Sequence, residues 1–390
     1  MRVQEIRRHL ERDIIPFWRS LRDDAYGGFY GEMDYELNLD QKADKGCILN
    51  SRILWFFTNA YLTLGDQECL DDAKHAYEFL RKAFFDQENG GVYWSVTYDG
   101  RPADDTKHTY NQAFAVYGLA SYYAASGDRD ALSLAYSLTE KLETKCRDQE
   151  GYLEAFDRNF KPASNEKLSE NGVMAERTMN TLLHVLEAYT ELYRVDKNAA
   201  VADQLRWMLE LYSDKIYNPK ERRLEVFFDL GYRSLIDLNS YGHDIEASWL
   251  VDRAAQVLED PAYIKRVSVI NEELADQIHS VALDDNSLFN ECEEGKVDTK
   301  KVWWVQAEAL LGFLNAYKKN PERKDYLESV GRVWDYIKTH MIDPRKGSEW
   351  FNELNRDGTP IKTKEIVGPW KCPYHNGRMC FEVINRKIEF

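Results

Sequence analysis

The chain has 390 residues and a net charge of −16, with 51 Lys and Arg against 67 Asp and Glu. This acidic balance, without a basic stripe, excludes nucleic acid and anionic membrane as main partners. No apolar run is long enough to span a bilayer, and six scattered cysteines with no CxxC pair predict reduced thiols in a cytoplasmic protein.

In chain order, Met1 to Arg19 alternates apolar and charged residues at helical spacing, which predicts an amphipathic helix and not a signal peptide. A glycine- and aromatic-rich segment follows, Gly27-Gly-Phe-Tyr-Gly-Glu-Met-Asp34, with the alternation of a short strand between turns. Next comes Cys47–Leu64, apolar nearly all round and so predicted to be a helix buried on most sides.

The same three parts then return. Amphipathic helices are predicted at Cys69–Phe84, Asp130–Cys146, Ala199–Ile216, Ala262–Val281 and Tyr326–His340. Further short-strand signatures begin at Gly90, Gly151, Arg223, Asn286 and Gly347. Buried helices are predicted at His108–Tyr123, Thr178–Tyr193, Ser240–Ala255 and Val302–Tyr317, with a short last member from His375 to Ile384. Self-similarity at a period of roughly 60–75 residues signals a repeat architecture. Six copies of amphipathic helix, hairpin and buried helix fit an all-α (α/α)6 barrel. It would have six inner and six outer helices, short β-hairpins in the connecting loops, and one domain over residues 1–390. A linear helical solenoid would not by itself explain polar clusters at one end of the buried helices.

Those clusters hold Arg52, Tyr110, Asn111, Asn180, His184, His243, Glu246, Trp303, Trp304, Glu308 and His375, all in the first two turns of an inner helix. Parallel inner helices would bring them to one mouth of the barrel, with Trp370 just ahead of the last. Buried polar groups need partners or a wet pocket. Histidine exchanges protons near neutrality, so His184, His243 and His375 are candidate acid/base groups. His243 and Glu246, at i,i+3, share a face; a base with its carboxylate, a structural hydrogen bond or two metal ligands all fit. No third ligand at a diagnostic spacing accompanies them.

Asn180 and His184 lie one turn apart on an otherwise apolar helix. Of Trp303 and Trp304, one is expected to stack on a ligand and the other to pack away from the site. Arg52, in an apolar helix, demands an anion or an oxygen-rich partner. Cys372 and Cys380 read as small buried hydrophobes. His9, His75, His279 and His340 fall on outer helices in solvated or packing positions, and His108 stays open. There is no Walker motif and no GxGxxG.

Longer motifs carry a resemblance. Lys42-Ala-Asp-Lys-Gly46, Ser51-Arg-Ile-Leu-Trp55, Ser240-Tyr-Gly-His-Asp-Ile-Glu-Ala-Ser-Trp249, Val302-Trp-Trp-Val-Gln-Ala-Glu-Ala309 and Gly368-Pro-Trp-Lys-Cys-Pro-Tyr-His-Asn-Gly-Arg378 resemble the N-acylglucosamine 2-epimerase superfamily. Glu170-Asn-Gly172 and Thr178-Met-Asn-Thr-Leu-Leu-His-Val-Leu-Glu-Ala-Tyr189 look like its disaccharide branch. The match runs essentially end to end.

The resemblance implies an (α/α)6 barrel and reversible C2 epimerisation of the reducing-end glucose in cellobiose, lactose or cello-oligosaccharides, without metal or nucleotide. It implies His243 and His375 as acid/base groups on opposite faces of C2, and His184 as the aid to ring opening and closing. Arg52, Glu246 and Glu308 would hold the reacting sugar and tune the histidines, and Tyr110, Asn180, Trp304 and Trp370 would shape the site. Three alternatives stay open: a relative acting on another sugar or forming a ketose, a glycoside hydrolase using Glu246 and Glu308, and a non-catalytic sugar-binding protein.

Overall fold

A computed structural model of the chain describes residues 1–169 and 171–390; Glu170, part of one motif above, lies outside the described residues. Among the described residues thirteen α-helices occur in chain order: α1 (Arg2–His9), α2 (Ile15–Ser20), α3 (Cys47–Leu64), α4 (Gln67–Phe79), α5 (Thr109–Ser126), α6 (Arg129–Thr144), α7 (Met179–Val195), α8 (Ala199–Leu211), α9 (Tyr241–Leu258), α10 (Pro261–Val281), α11 (Trp303–Lys319), α12 (Lys324–Tyr336) and α13 (His375–Arg386). The two first helices join through a π-helical turn, Leu10–Ile14, into one outer helix.

The inner helices α3, α5, α7, α9, α11 and α13 each pack on the next, and α13 packs back on α3, so the ring is closed. The outer helices cover it, and α1 lies against α13 to join the two ends of the chain. Burial follows the sequence pattern. In α6, Ala131, Leu132, Ala135, Leu138, Thr139 and Leu142 form one buried stripe, whereas α3 is buried without a break from Cys47 to Thr58.

Link length sets the direction of the helices. α3 ends at Gly65 (φ 74°) and α5 at Gly127 (φ 71°), both left-handed closures. The next residues, Asp66 and Asp128, already cap α4 and α6 by accepting from Glu68 N and Asp130 N. Inner-to-outer links are therefore tight, and the long hairpin-bearing loops all lie at the other end. All six inner helices thus present their N-termini to one mouth.

The signature segments form the hairpins expected. Arg22 bridges Phe29, Phe85 bridges Val92, Arg147 bridges Tyr152 and Ile342 bridges Trp350, while Tyr217–Asn218 pairs with Arg223–Leu224 and Leu283–Asp284 with Ser287–Leu288. A second set of strands staples one repeat to the next. Each short strand before an inner helix pairs with the following repeat: Lys45–Gly46 with Ser95–Val96, Lys107–His108 with Ala155–Phe156, and Arg177–Thr178 with Phe227–Phe228. Leu238–Ser240 pairs likewise with Glu291–Glu293 and Lys301–Val302 with Glu353–Leu354, and Met33 bridges Val367 to close the circle.

Three predicted outer helices end earlier as α-helix than the periodicity suggests. Their last turns, Leu80–Phe84, Tyr212–Ile216 and Ile337–Met341, are π-helical. A π turn accommodates one extra residue, which apolar spacing alone does not reveal.

Candidate active site

A cavity of about 370 Å³ opens at this mouth. All six inner helices contribute: Arg52 from α3, Tyr110 from α5, Asn180 and His184 from α7, His243 and Glu246 from α9, Trp303 and Trp304 from α11, and His375 from α13, with Trp370 from the preceding loop. Glu308 is fully buried behind the wall, where Oε1 lies 2.8 Å from His375 Nδ1. Both tryptophans line the cavity, so the expectation that one packs away does not hold. They occupy adjacent positions in the first turn of α11, where the wall bends around His375: Trp303 meets that ring edge-on at 5.4 Å and Trp304 lies at 5.3 Å. Asn111 turns from the site and donates to Tyr93 O, holding a hairpin.

The three histidines share one arrangement. Each is held at Nδ1: His184 by Glu187 Oε2 at 3.0 Å, His243 by Ser240 Oγ at 2.8 Å, and His375 by Glu308. Among the described residues Nε2 of each has no protein partner. Trp304 also lies 4.8 Å from the His243 ring, so one indole touches both His243 and His375. His184 instead packs on Tyr110 and Phe114, at 5.2 and 4.9 Å. Burial pushes His243 down to about 3, with the nearby His184 adding to the shift. Burial, then the charges of Arg378 and Arg52, hold His375 well below the usual imidazole range, and burial also lowers His184 against the opposing pull of Glu187.

Beneath the histidines lies a charge cluster in which Glu246 and Glu308 were expected, whereas Glu187 and Arg378 were not. Arg378 on α13 donates through Nη1 to Glu187 and through Nη2 to both Glu246 and Glu308. Tyr374 donates its hydroxyl to Glu187, and Trp249 Nε1 donates to Glu308 Oε2 at 2.9 Å. Burial, then the charges of Glu308 and Glu187, push Glu246 up to about 8, and burial raises Glu308 as well. Burial acts upward on Glu187 too, but the Arg378 charge and hydrogen bonds from His184 and Tyr374 hold it well below the usual carboxylate range.

Glu246, Glu308 and His375 bring potential ligand atoms within 4.8 Å of one another. The Arg378 guanidinium already stands among them, bonded to both carboxylates, and takes the place of a cation there.

Arg52 has an oxygen-poor surrounding. Its guanidinium stacks 4.1 Å from the Phe114 centroid and 4.7 Å from Tyr374, and donates to Tyr110 Oη at 2.8 Å and to Cys372 Sγ at 3.7 Å. Cys372 is thus a hydrogen-bond partner as well as a core residue. Arg52 Nε, Asn180 Oδ1 and Glu246 Oε2 are buried with no partner among the described residues. Polar atoms left this way in a cavity wall suit a ligand rich in hydroxyl groups.

The rim contains residues from motifs that the sequence reading did not assign to the site. Asn290 and Glu291 line it beside a hairpin of Glu291–Glu293 and Lys296–Asp298, the fifth repeat's version of the return strand that Pro102–Asp104 forms in the second. Across the mouth, Asn171 donates to Glu293 Oε2 at 2.7 Å and Glu291 Oε1 at 3.3 Å. Trp370, 40% exposed, closes the opposite side against Trp94 and Tyr110. His108 packs against Trp94 with the rings tilted at 4.7 Å and does not line the cavity.

Residues 28–377 match the family model of N-acylglucosamine 2-epimerase. A cellobiose 2-epimerase of Ruminococcus albus is 54% identical over 389 residues, covering all of both chains. A sugar epimerase from a ruminal bacterium superposes with a TM-score of 0.99 at 53% identity over all of both chains. The cellobiose 2-epimerase of Bacillus thermoamylovorans B4167 superposes with a TM-score of 0.94 at 46% identity, covering 98% of this chain and 99% of that one. With its closed ring of six inner helices and a histidine-lined mouth, the chain belongs to the N-acylglucosamine 2-epimerase family.

Proposed function

We propose that the protein epimerises the reducing-end glucose of β-1,4-linked disaccharides at C2, turning cellobiose into glucosyl-mannose and lactose into epilactose. The observation that carries this reading is the pair His243 and His375: both touch Trp304 in one cavity, and among the described residues each keeps Nε2 free of protein partners. Similarity along the whole chain to cellobiose 2-epimerases supports the substrate class. Cello-oligosaccharides are further candidates, and the six free thiols suit the cytoplasm.

The chemistry begins with ring opening. A base at the anomeric hydroxyl takes its proton, the C1–O5 bond breaks, and O5 gains a proton. His184, beside Tyr110 and Asn180, serves here. The resulting aldehyde acidifies C2–H. Burial keeps both His243 and His375 neutral at rest, so either can take that proton at Nε2. The electron pair moves into a cis-enediolate, whose negative oxygen the Arg52 guanidinium offsets. That negative charge also favours protonation of the second histidine, which takes a proton from solvent and returns it to C2 from the other face, while the first histidine gives its proton to solvent. Ring closure completes an inversion in which one C2 proton is lost and one gained.

A glycoside hydrolase would need two free carboxylates, but Glu246 and Glu308 are bound to one guanidinium. Chromatography of products from cellobiose, lactose and N-acetylglucosamine tests the proposal. Glucosyl-mannose and epilactose are expected. Exclusive turnover of N-acetylglucosamine, or formation of glucose or a ketose, would replace it.

A further inference from the structure

One side chain of the cluster, on which three partners converge, is left idle by the catalytic scheme. Glu187 follows His184 by three residues on α7 and is 5% exposed. Its Oε2 receives His184 Nδ1 and the Tyr374 hydroxyl, and its Oε1 receives Arg378 Nη1. Arg378 also holds Glu246 and Glu308, so Glu187 ties the His184 side of the site into the same cluster.

We propose that Glu187 is a positioning residue for His184, fixing the neutral imidazole with its proton on Nδ1 and its lone pair on Nε2. The inference rests on the reading of His184 as the group that opens and closes the sugar ring. An ionised carboxylate only accepts hydrogen bonds, so the nitrogen facing it must carry the proton. Burial is overcome by Arg378, and the carboxylate stays ionised. The basic lone pair then lies on Nε2, which has no protein partner among the described residues, in a residue that lines the cavity. At the anomeric centre this lone pair takes the O1 proton as C1–O5 breaks, and the proton passes on to O5, so ring opening consumes none.

The same device recurs across the site. Arg378 joins Glu187 to Glu308, and Glu308 faces Nδ1 of His375. One chain of charges thus sets the same tautomer on the histidine for the ring and on one histidine for C2. A glutamine at 187 keeps the shape but offers an N–H as well as an oxygen. With Arg378 and Tyr374 competing for that oxygen, it no longer imposes Nδ1–H.

Two measurements test this. The first is the 15N spectrum of histidine-labelled protein, with the His184 signals identified by their loss in His184→Gln. Wild type should show a protonated Nδ1 and an unprotonated Nε2, and Glu187→Gln should lose that signature. Nε2–H in wild type would overturn the inference, and this readout needs no variant at Glu187. The second is exchange between cellobiose anomers in a His243→Ala background, where C2 chemistry is blocked. Glu187→Gln there should slow enzyme-driven exchange by about tenfold or more, with circular dichroism confirming the fold. Retention of both in Glu187→Gln would overturn the inference. Wild type that epimerises cellobiose while Glu187→Gln behaves like its parent defeats only this inference; wild type that never epimerises cellobiose defeats the functional reading itself.

Discussion

Nδ1 of His375 lies 2.8 Å from Oε1 of Glu308, an oxygen that also receives Arg378 Nη2 at 2.7 Å. A carboxylate so placed orients the ring, stabilises its charged form and leaves Nε2 as the working atom. Glu308→Gln should therefore lower kcat by roughly 10²–10⁴-fold with little change in KM, since His375 lines the cavity and the buried Glu308 does not. Steady-state kinetics on cellobiose checks it. A rise in KM at constant kcat would place Glu308 in binding instead.

The second prediction concerns close packing around Trp304. A Cβ at Gly242 would lie 2.4 Å from Trp304 Cη2 and 2.7 Å from Val305 Cγ2. Gly242→Ala must push the indole that touches both His243 and His375. A shift of about 1 Å at a reacting group can cost on the order of 10²-fold in rate. The variant should fold, lose activity by about that factor and quench differently in tryptophan fluorescence. Full activity would show that the indole position is not critical.

Glu246 carries a stability signature. Its folded value of about 8 stands above an ordinary 4.5, so the folded protein binds more protons than the unfolded chain between those values. Stability contributed by this group is greatest below pH 4.5 and declines as pH rises towards 8, by about 1.4 kcal/mol per unit inside the window. His243, lowered from 6.5 to about 3, acts oppositely, adding stability as pH rises from 3 to 6.5. Glu246→Gln should thus lose less melting temperature between pH 6.5 and 8 than wild type, where Glu246 acts and His243 no longer does. An unchanged slope would mean that Glu246 is already ionised at pH 6.5.

The barrel was legible because two kinds of helix alternate, and a helix apolar on all sides such as Cys47–Thr58 has nowhere to go but the centre. The mouth was legible because Arg52, His184, His243 and Glu308 interrupt that apolarity within two turns of a helix start. Glu187 was not. It sits deeper in α7, where a lone carboxylate reads as the polar side of an amphipathic helix, and its partner Arg378 is 191 residues away. Arg378, three residues after His375, was the available signal: an arginine in a buried helix requires acids around it. The Asn286 signature was legible as a strand, but its place at the site was not, because Glu291 and Lys296 look like ordinary loop charges and it is the pairing with Leu238–Ser240 that carries them there.

The hairpins rest on buried ion pairs, and these yield a stability prediction. Lys45 Nζ lies 2.6 Å from Asp23 Oδ2 and 2.7 Å from Gly27 O, with both side chains fully buried. The fourth repeat replaces the pair by neutral residues. Asn218 accepts from Lys220 N and Glu221 N as Asp23 does from Ala25 N and Tyr26 N, and Asn239 stands two residues before its inner helix as Lys45 does. Lys45→Met strands the Asp23 charge and should lower stability by about 3–5 kcal/mol in urea unfolding, with Asp23→Asn restoring part of it. A loss below about 1 kcal/mol would show that Asp23 finds another partner or a proton.

The central claim is that two histidines exchange a proton at C2 of an opened sugar. Incubation of the protein with cellobiose in D2O, without added metal, followed by NMR of the sugars, tests it most directly. The account predicts glucosyl-mannose carrying deuterium at C2, with the rate falling by orders of magnitude in both His243→Ala and His375→Ala. Epimer formed without deuterium, or near-full activity in either variant, would contradict it.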